Sequence, residues 1–379
     1  MNFFFLAAGM FALGCDDYIF AGLLPGISTS FQSSIIAAAQ GISVYGITYV
    51  GALPLCVFLL TKKSTRQVLL LALLTFIAGN LLTLMSLNLS VYIAGRAIAG
   101  LGAGLYLPLA IATAGELVEP AAKGRALSLA WGSNAAGAVI GIPIGLWLAD
   151  KIHWRASIIM ILILSLIALL GLISRAMNLK VTTLPSLREQ ASLLVDPGVM
   201  SVIAVTLLTA TGGLGLYVYI STVLEGTAIP PATALSLWNI GGLIGSLSIG
   251  FIADRFGKPQ WVMLSILGVQ VITFLSIPTL SLFPLLGNLP FFLWGALGWS
   301  TMTPQQLRLS QLKPGHDATM VALNSTAVSL GSVFGTTLGG LALAGGLNMS
   351  HLPYAATGLI FSAFTLQILL ILQAVLHKN

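Results

Sequence analysis

GAVIGIPIG, Gly137 to Gly145, places three glycines at four-residue steps, and GSVFGTTLG, Gly331 to Gly339, repeats the ladder 194 residues later. Residues four apart share one face of an α-helix. Small residues at that spacing let two helix backbones come close where lipid supplies no hydrophobic drive for association. The offset is near half of the 379-residue chain, so the two ladders suggest two related halves.

Around the ladders the chain is apolar: 57% hydrophobic and 7% charged residues, against about 25% charged in soluble proteins. Apolar runs of about 20 residues, enough to cross a hydrocarbon core of about 30 Å, recur along the whole length between short polar or Pro/Gly-rich breaks. In the first half they predict helices over about 2–24, 38–60, 68–87, 91–114, 126–149 and 156–174. In the second half they predict about 199–223, 233–252, 260–279, 285–306, 318–345 and 353–376. The expected fold is therefore an all-α membrane protein of about twelve transmembrane helices in two pseudo-symmetric six-helix bundles, 1–174 and 199–379, joined by a cytoplasmic linker over 175–198. The first run has no Lys or Arg ahead of it, so it reads as a retained helix rather than a cleaved signal. Cys15 and Cys56 fall at different depths and are expected as two free thiols.

The net charge of +6 is a matter of topology rather than of an acidic or nucleic-acid partner. With the N-terminus cytoplasmic, the inner loops and tail carry Lys62, Lys63, Arg66, Lys123, Arg125, Arg175, Lys180, Arg188, Arg255, Lys258, Arg308, Lys313 and Lys378. The outer loops carry only Lys151 and Arg155. That asymmetry places both termini inside.

Three charges lie inside predicted spans: Asp16 and Asp17 on the first, Arg96 on the fourth. Counted from the outer ends, the acids lie roughly 10 Å deep and Arg96 roughly 8 Å. An unpaired charge at mid-membrane is costly, about 2.5 to 3.5 kcal/mol on insertion scales, so acid and guanidinium are expected to face each other or a shared aqueous cavity. Neighbouring helical residues point about 100° apart, so at most one aspartate sits squarely opposite Arg96. The group reads either as a structural lock or as a proton-coupling site.

These residues and several motifs resemble the major facilitator superfamily, in its twelve-helix drug:proton antiporter group. GFIADRFGK, Gly250 to Lys258, resembles the loop in which an Asp and an Arg form a charge relay gripping neighbouring helix ends; the resemblance assigns those roles to Asp254 and Arg255, with Lys258 assisting and Gly250 and Gly257 completing the motif. TKKSTRQ, Thr61 to Gln67, is the first-half copy and lacks the Asp. YIAGRAIAGLGAG, Tyr92 to Gly104, is similar to the helix 4 motif whose arginine is linked to proton coupling, here Arg96. Gly137, Gly141, Pro143 and Gly145 match the helix 5 antiporter motif, which implies export. Asp17, Tyr18 and Gly22 to Pro25 resemble the bacterial sugar, purine-nucleoside and chloramphenicol exporters, and the resemblance favours Asp17 over Asp16 as the titrating acid. GWSTMTPQQLRL, Gly298 to Leu309, is similar to the tenth helix of the purine-efflux members.

In that fold helices 1, 2, 4, 5, 7, 8, 10 and 11 line a central cavity. The substrate candidates are then Tyr18, Gln40, Tyr45, Tyr49, Trp131, Asn134, Tyr217, Trp238, Asn239, Trp299 and Asn324, a set of rings and amides suited to a neutral or weakly polar planar molecule. Trp131, Asn134 and Asn324 stand out by their depth. All four histidines fall in predicted loops or the tail, no ligand spacing resembles a metal site, and there is no P-loop. The expectation is a non-enzymatic, monomeric exporter in the bacterial inner membrane, without cofactor, exchanging protons for a small molecule such as a drug, a nucleoside or purine, or a sugar. The alternatives are an uptake permease on the same fold, or a receptor or scaffold that transports nothing.

Overall fold

The computed structural model describes residues 2–60, 63–174, 193, 195–224 and 226–376. Most of the expected linker lies outside the described residues, as do Lys62, Arg175, Lys180, Arg188 and Lys378 of the inner-face tally and the side chains of Tyr18 and Cys56.

Helices stand where the apolar runs predict them. The first half holds α1 (Asn2–Ser30), α2 (Ile35–Leu60), α3 (Thr65–Leu84), α4 (Leu89–Glu116), α5 (Lys123–Ala136, continuing through Gly137–Gly141 into Ile142–Lys151) and α6 (Trp154–Ser174). The second holds α7 (Pro197–Val218), α8 (Pro231–Phe256), α9 (Pro259–Leu280), α10 (Asn288–Ser300 and Met302–Leu312), α11 (Asp317–Ala344) and α12 (Leu352–Leu376). Among the described residues nine helices are long and apolar enough to cross a membrane, and a tenth counts if the bent α1 is taken as one span.

Three helices depart from the expected outlines. α1 runs six residues beyond its predicted end, through Pro25. Thr29 Oγ1 donates to the Pro25 carbonyl at 2.9 Å, a back-bond to the carbonyl four residues earlier of the kind that bends helices. α5 widens into a π-helical turn over Gly137–Gly141 just before Pro143, which has no N–H for a carbonyl one turn back. α10 is broken at Thr301 rather than continuous. Pro304 cannot donate to the Ser300 carbonyl, and the Thr301 hydroxyl bonds back to Gly298 O at 2.7 Å.

The residues divide into two compact units: Met1–Glu119 with Leu129–Gln190, and Pro120–Ser128 with Ala191–Asn379. The first residues of α5 group with the second unit. Within the first unit α4 packs on α2 and α3, and α1 on α5 and α6, with α3 against α6. The second unit repeats that scheme, with α10 on α8 and α9, α7 on α11 and α12, and α9 against α12.

The glycine ladders make two of these equivalent contacts. A Cβ at Gly137 would overlap the Phe11 carbonyl of α1, one at Gly141 the Cys15 sulfur, and one at Gly145 the Ile19 side chain. In the second unit a Cβ at Gly331 would meet Ala210 and the Leu207 carbonyl of α7, one at Gly335 the Thr211 carbonyl, and one at Gly339 the Tyr219 ring. Cys15 is a free, buried thiol whose Sγ donates to Gly137 O at 3.3 Å.

Candidate functional site

The embedded charges meet inside the first unit. Arg96 Nη1 of α4 donates to Asp16 Oδ2 at 2.9 Å and Oδ1 at 3.1 Å. Both side chains are buried, at 1% and 0% exposure. The guanidinium lies between two rings, its Cζ 3.6 Å from the Phe20 centroid and 4.3 Å from that of Tyr45, so ring faces as well as a carboxylate replace the water it lost. Asp17 points elsewhere: Tyr45 Oη donates to Asp17 Oδ1 at 2.6 Å, and Asp17 is only partly buried. Backbone proximity makes the arrangement possible. A Cβ at Gly100 of α4 would strike the Tyr45 carbonyl, so that glycine lets α2 bring Tyr45 over Arg96. The acids lie farther from the outer end of α1 than expected, because that helix continues to Ser30.

This cluster therefore holds one cation and two carboxylates, with the cation committed to Asp16 and a neutral phenol serving Asp17. Asn80 on α3, fully buried, borders the Asp16 carboxylate; the sequence reading missed it, although an amide within an apolar span was a visible signal. Of the first unit's other candidates, Tyr49 stacks on Tyr45 with centroids 6.4 Å apart. Asn134 Nδ2 donates to the Met10 carbonyl at 3.3 Å, which ties α5 to α1. Trp131 is buried, and its indole N–H has no partner among the described residues.

In the second unit Tyr217, Trp238 and Trp299 gather into an aromatic cluster. Tyr217 and Trp238 lie 4.5 Å apart, Trp238 and Trp299 6.1 Å. The fully buried Trp294 joins them 6.5 Å from Trp238; nothing in its spacing set it apart from the other apolar residues of α10. Asn239 spends its amide on its own helix, donating to Leu235 O at 2.9 Å. Asn324 of α11 is fully buried and accepts from Thr206 Oγ1 of α7 at 2.8 Å.

At the loops the structure corrects the expected relay. Asp254 is held by the start of α5: it accepts from Gly124 N at 2.7 Å, Arg125 N at 2.9 Å and Arg125 Nε at 3.1 Å. This is a carboxylate capping a helix N-terminus. Gly250 permits the approach, since a Cβ there would meet the Gly124 carbonyl and Ser128. Arg255 and Lys258 are exposed and make no ion pair among the described residues, so Arg125 takes the part expected of Arg255. Gly257 ends α8 at φ +61°, where glycine is favoured. In the first-half loop, which lacks the Asp, Arg66 Nη2 donates to the Leu172 and Ile173 carbonyls at the end of α6, at 3.3 and 3.0 Å.

Other charges at helix ends in the second unit are paired. Lys123 donates to Asp317 at 3.1 Å, and the Ser310 hydroxyl also donates to that carboxylate. Lys313 pairs with Asp196. Asp196 caps α7 through Val199 N, and the Lys313 hydrogen bond together with that cap holds its carboxyl below the ordinary range.

The chain's comparisons with known proteins agree with this architecture. The Major Facilitator Superfamily profile matches residues 6–336. The MFS-type transporter YwfA of Bacillus subtilis (strain 168) is 31% identical over 373 residues, covering 95% of this chain and 88% of that protein. The inner membrane transport protein YdhP of Escherichia coli (strain K12) is 26% identical over 352 residues, 92% and 90% of the two chains. Among solved structures, that of the transporter FucP matches with a TM-score of 0.80 at 15% identity, over 98% of each chain.

Proposed function

The chain belongs to the Major Facilitator Superfamily, and on that premise we propose that it exports a small neutral or amphipathic molecule across the bacterial inner membrane in exchange for protons. Membrane transport is the family's activity, which makes the chain a transporter rather than an enzyme. The observation that carries the proton-coupled reading is the division of partners inside the first unit, Asp16 on Arg96 and Asp17 on Tyr45. With both acids ionised this group has one negative charge in excess. A proton delivered to Asp17 neutralises it without breaking the Arg96–Asp16 pair, and the partial exposure of Asp17 gives that proton a way in. A charge that appears and disappears in an apolar bundle changes which conformation of the bundle is favoured, the requirement for coupling a gradient to alternating access. The export direction rests on the α5 ladder with Pro143, and the inner-membrane location on the likeness to YdhP. A single chain, with no cofactor, suffices.

The test uses the full-length protein in liposomes with an imposed pH gradient. Candidate compounds are drugs, nucleosides, purine bases and sugars, with proton flux followed by an entrapped pH dye. Substrate-dependent proton counterflow is expected from the wild type. Asp17→Asn, a change of one atom, is expected to abolish gradient-driven transport while the protein stays folded. Full gradient dependence in that variant would end the proposal, and co-directional flow of proton and substrate would replace export with uptake.

A further inference from the structure

The second unit contains a polar seam that the proton cluster does not use, and it lies beside the break in α10. Three helices supply it. Gln305 Nε2 of α10 donates to Thr206 Oγ1 at 3.1 Å and to the Val202 carbonyl of α7 at 3.2 Å, and Thr206 in turn donates to Asn324 Oδ1 of α11. Thr206, Gln305 and Asn324 are buried at 4%, 2% and 0% exposure. The Thr206 hydroxyl also lies 3.4 Å from the Val202 carbonyl, but its shorter bond is to Asn324, and beyond it the Asn324 Nδ2 amino group is buried with no partner among the described residues. Thr303 Oγ1, Gln306 Oε1 and Ser325 Oγ, also on α10 and α11, are likewise buried without partners among the described residues.

A purely structural network closes on itself, because a buried donor left open sacrifices its bonds to water and gains nothing in return. This one is closed at the Gln305 end and open at Asn324. Its Gln305 also lies four residues after the break at Thr301, and in transporters discontinuous helices are where polar backbone and side chains are turned toward cargo. We propose that this seam is a subsite for the transported molecule, in which Asn324 Nδ2 donates to a carbonyl oxygen of an uncharged ring compound while Gln305 and Thr206 hold the amide in orientation. An amino donor fixed by a neighbour on its oxygen side selects an acceptor. None of these seam residues is charged, so nothing in them balances an ionic ligand. The seam is shut in this structure. The open donor disfavours the shut form, and a carbonyl that satisfies it favours the state in which α7, α10 and α11 admit a ligand.

This inference rests on the chain's being a carrier of small neutral molecules, and its test is independent of proton coupling. Equilibrium binding to the full-length protein in lipid nanodiscs, at fixed pH and without a gradient, would be measured for 2-quinolone, hypoxanthine and uracil. Their carbonyl-free counterparts quinoline, purine and pyrimidine serve as paired probes. At least one carbonyl member should bind the wild type ten-fold or more tightly than its counterpart. Asn324→Leu, which keeps the branching and removes the amide, should bring the two to equal affinity, and Thr206→Val should narrow the gap. A merely structural Asn324 would lower thermal stability and weaken both members of a pair alike. That result, no carbonyl preference in the wild type, or no binding by any probe, overturns the proposal. Should Asn324→Leu fail to fold, Thr206→Val decides. Carbonyl selectivity combined with absent proton flux would leave the seam standing and remove only the coupling.

Discussion

Asp16 and Asp17 follow one another in the chain yet have different partners, and the difference is what makes them testable separately. Removing Asp16 takes from buried Arg96 the one carboxylate it is hydrogen-bonded to; losing one member of a buried pair costs about 3 to 5 kcal/mol. Asp16→Ala should therefore lower the unfolding transition of the purified protein sharply. The double variant Asp16→Asn with Arg96→Gln, which removes both charges, should recover much of it, and a double variant no more stable than Asp16→Ala would show that the pair does not act as a unit. At the α7 cap the sign of the pH effect is fixed. Asp196 has its carboxyl held below the ordinary value of 3.8 in the folded protein, so it stabilises the fold fully above that value and loses this contribution as the pH falls through its folded value. Denaturation followed below about pH 4 should show an acid-sensitive increment that Asp196→Asn abolishes. That the lone arginine would meet an acid could be read from depth and cost alone. Which aspartate it meets could not, because α1 is apolar on every side and no polar stripe fixes its rotation.

The helices pack through their glycines, and those positions separate tolerated from forbidden substitutions. A side chain at Gly335 would run into the Thr211 carbonyl and Gly215 of α7, and backbone cannot yield as a flexible side-chain tip can. Overpacking costs about 1 to 3 kcal/mol or more, so Gly335→Val should reduce the yield of folded, monodisperse protein. Gly358 of α12 has nothing among the described residues within 4 Å of where a Cβ would stand, and Gly358→Ala should change stability little, within about 0.5 kcal/mol. Equal behaviour of the two variants would mean the ladder is not a packing surface. Spacing alone announced these ladders, since four-residue periodicity is a local property. It did not name their partners α1 and α7, because contact between distant helices is set by the whole bundle. The break in α10 also escaped the reading. Ser300 and Thr301 are short polar residues that membrane helices commonly carry, so the predicted span passes through them, and Pro304 breaks the helix one turn before its own position, through the carbonyl it leaves unpaired. The seam of Thr206, Gln305 and Asn324 was hidden for the same reason: it becomes a site only when three helices converge.

Each unit of the molecule shows the same order of helix contacts, yet a fold with that internal symmetry can enter a membrane either way up. Orientation is decided during insertion by the positive charges of short loops. It is therefore recorded in sequence more directly than in packing. Thirteen of the sixteen basic residues fall on the side expected to be cytoplasmic and two on the other, with Arg96 between. Lys151 and Lys258 are suited to reading the result, the first exposed beside Asp150 and the second exposed between α8 and α9. In a background with Cys15 and Cys56 changed to serine, Lys151→Cys should react with a membrane-impermeant maleimide in intact spheroplasts. Lys258→Cys should react only after the membrane is opened. The opposite pattern would invert the molecule, move both termini outside, and turn the proposed direction of proton entry toward Asp17 around with it.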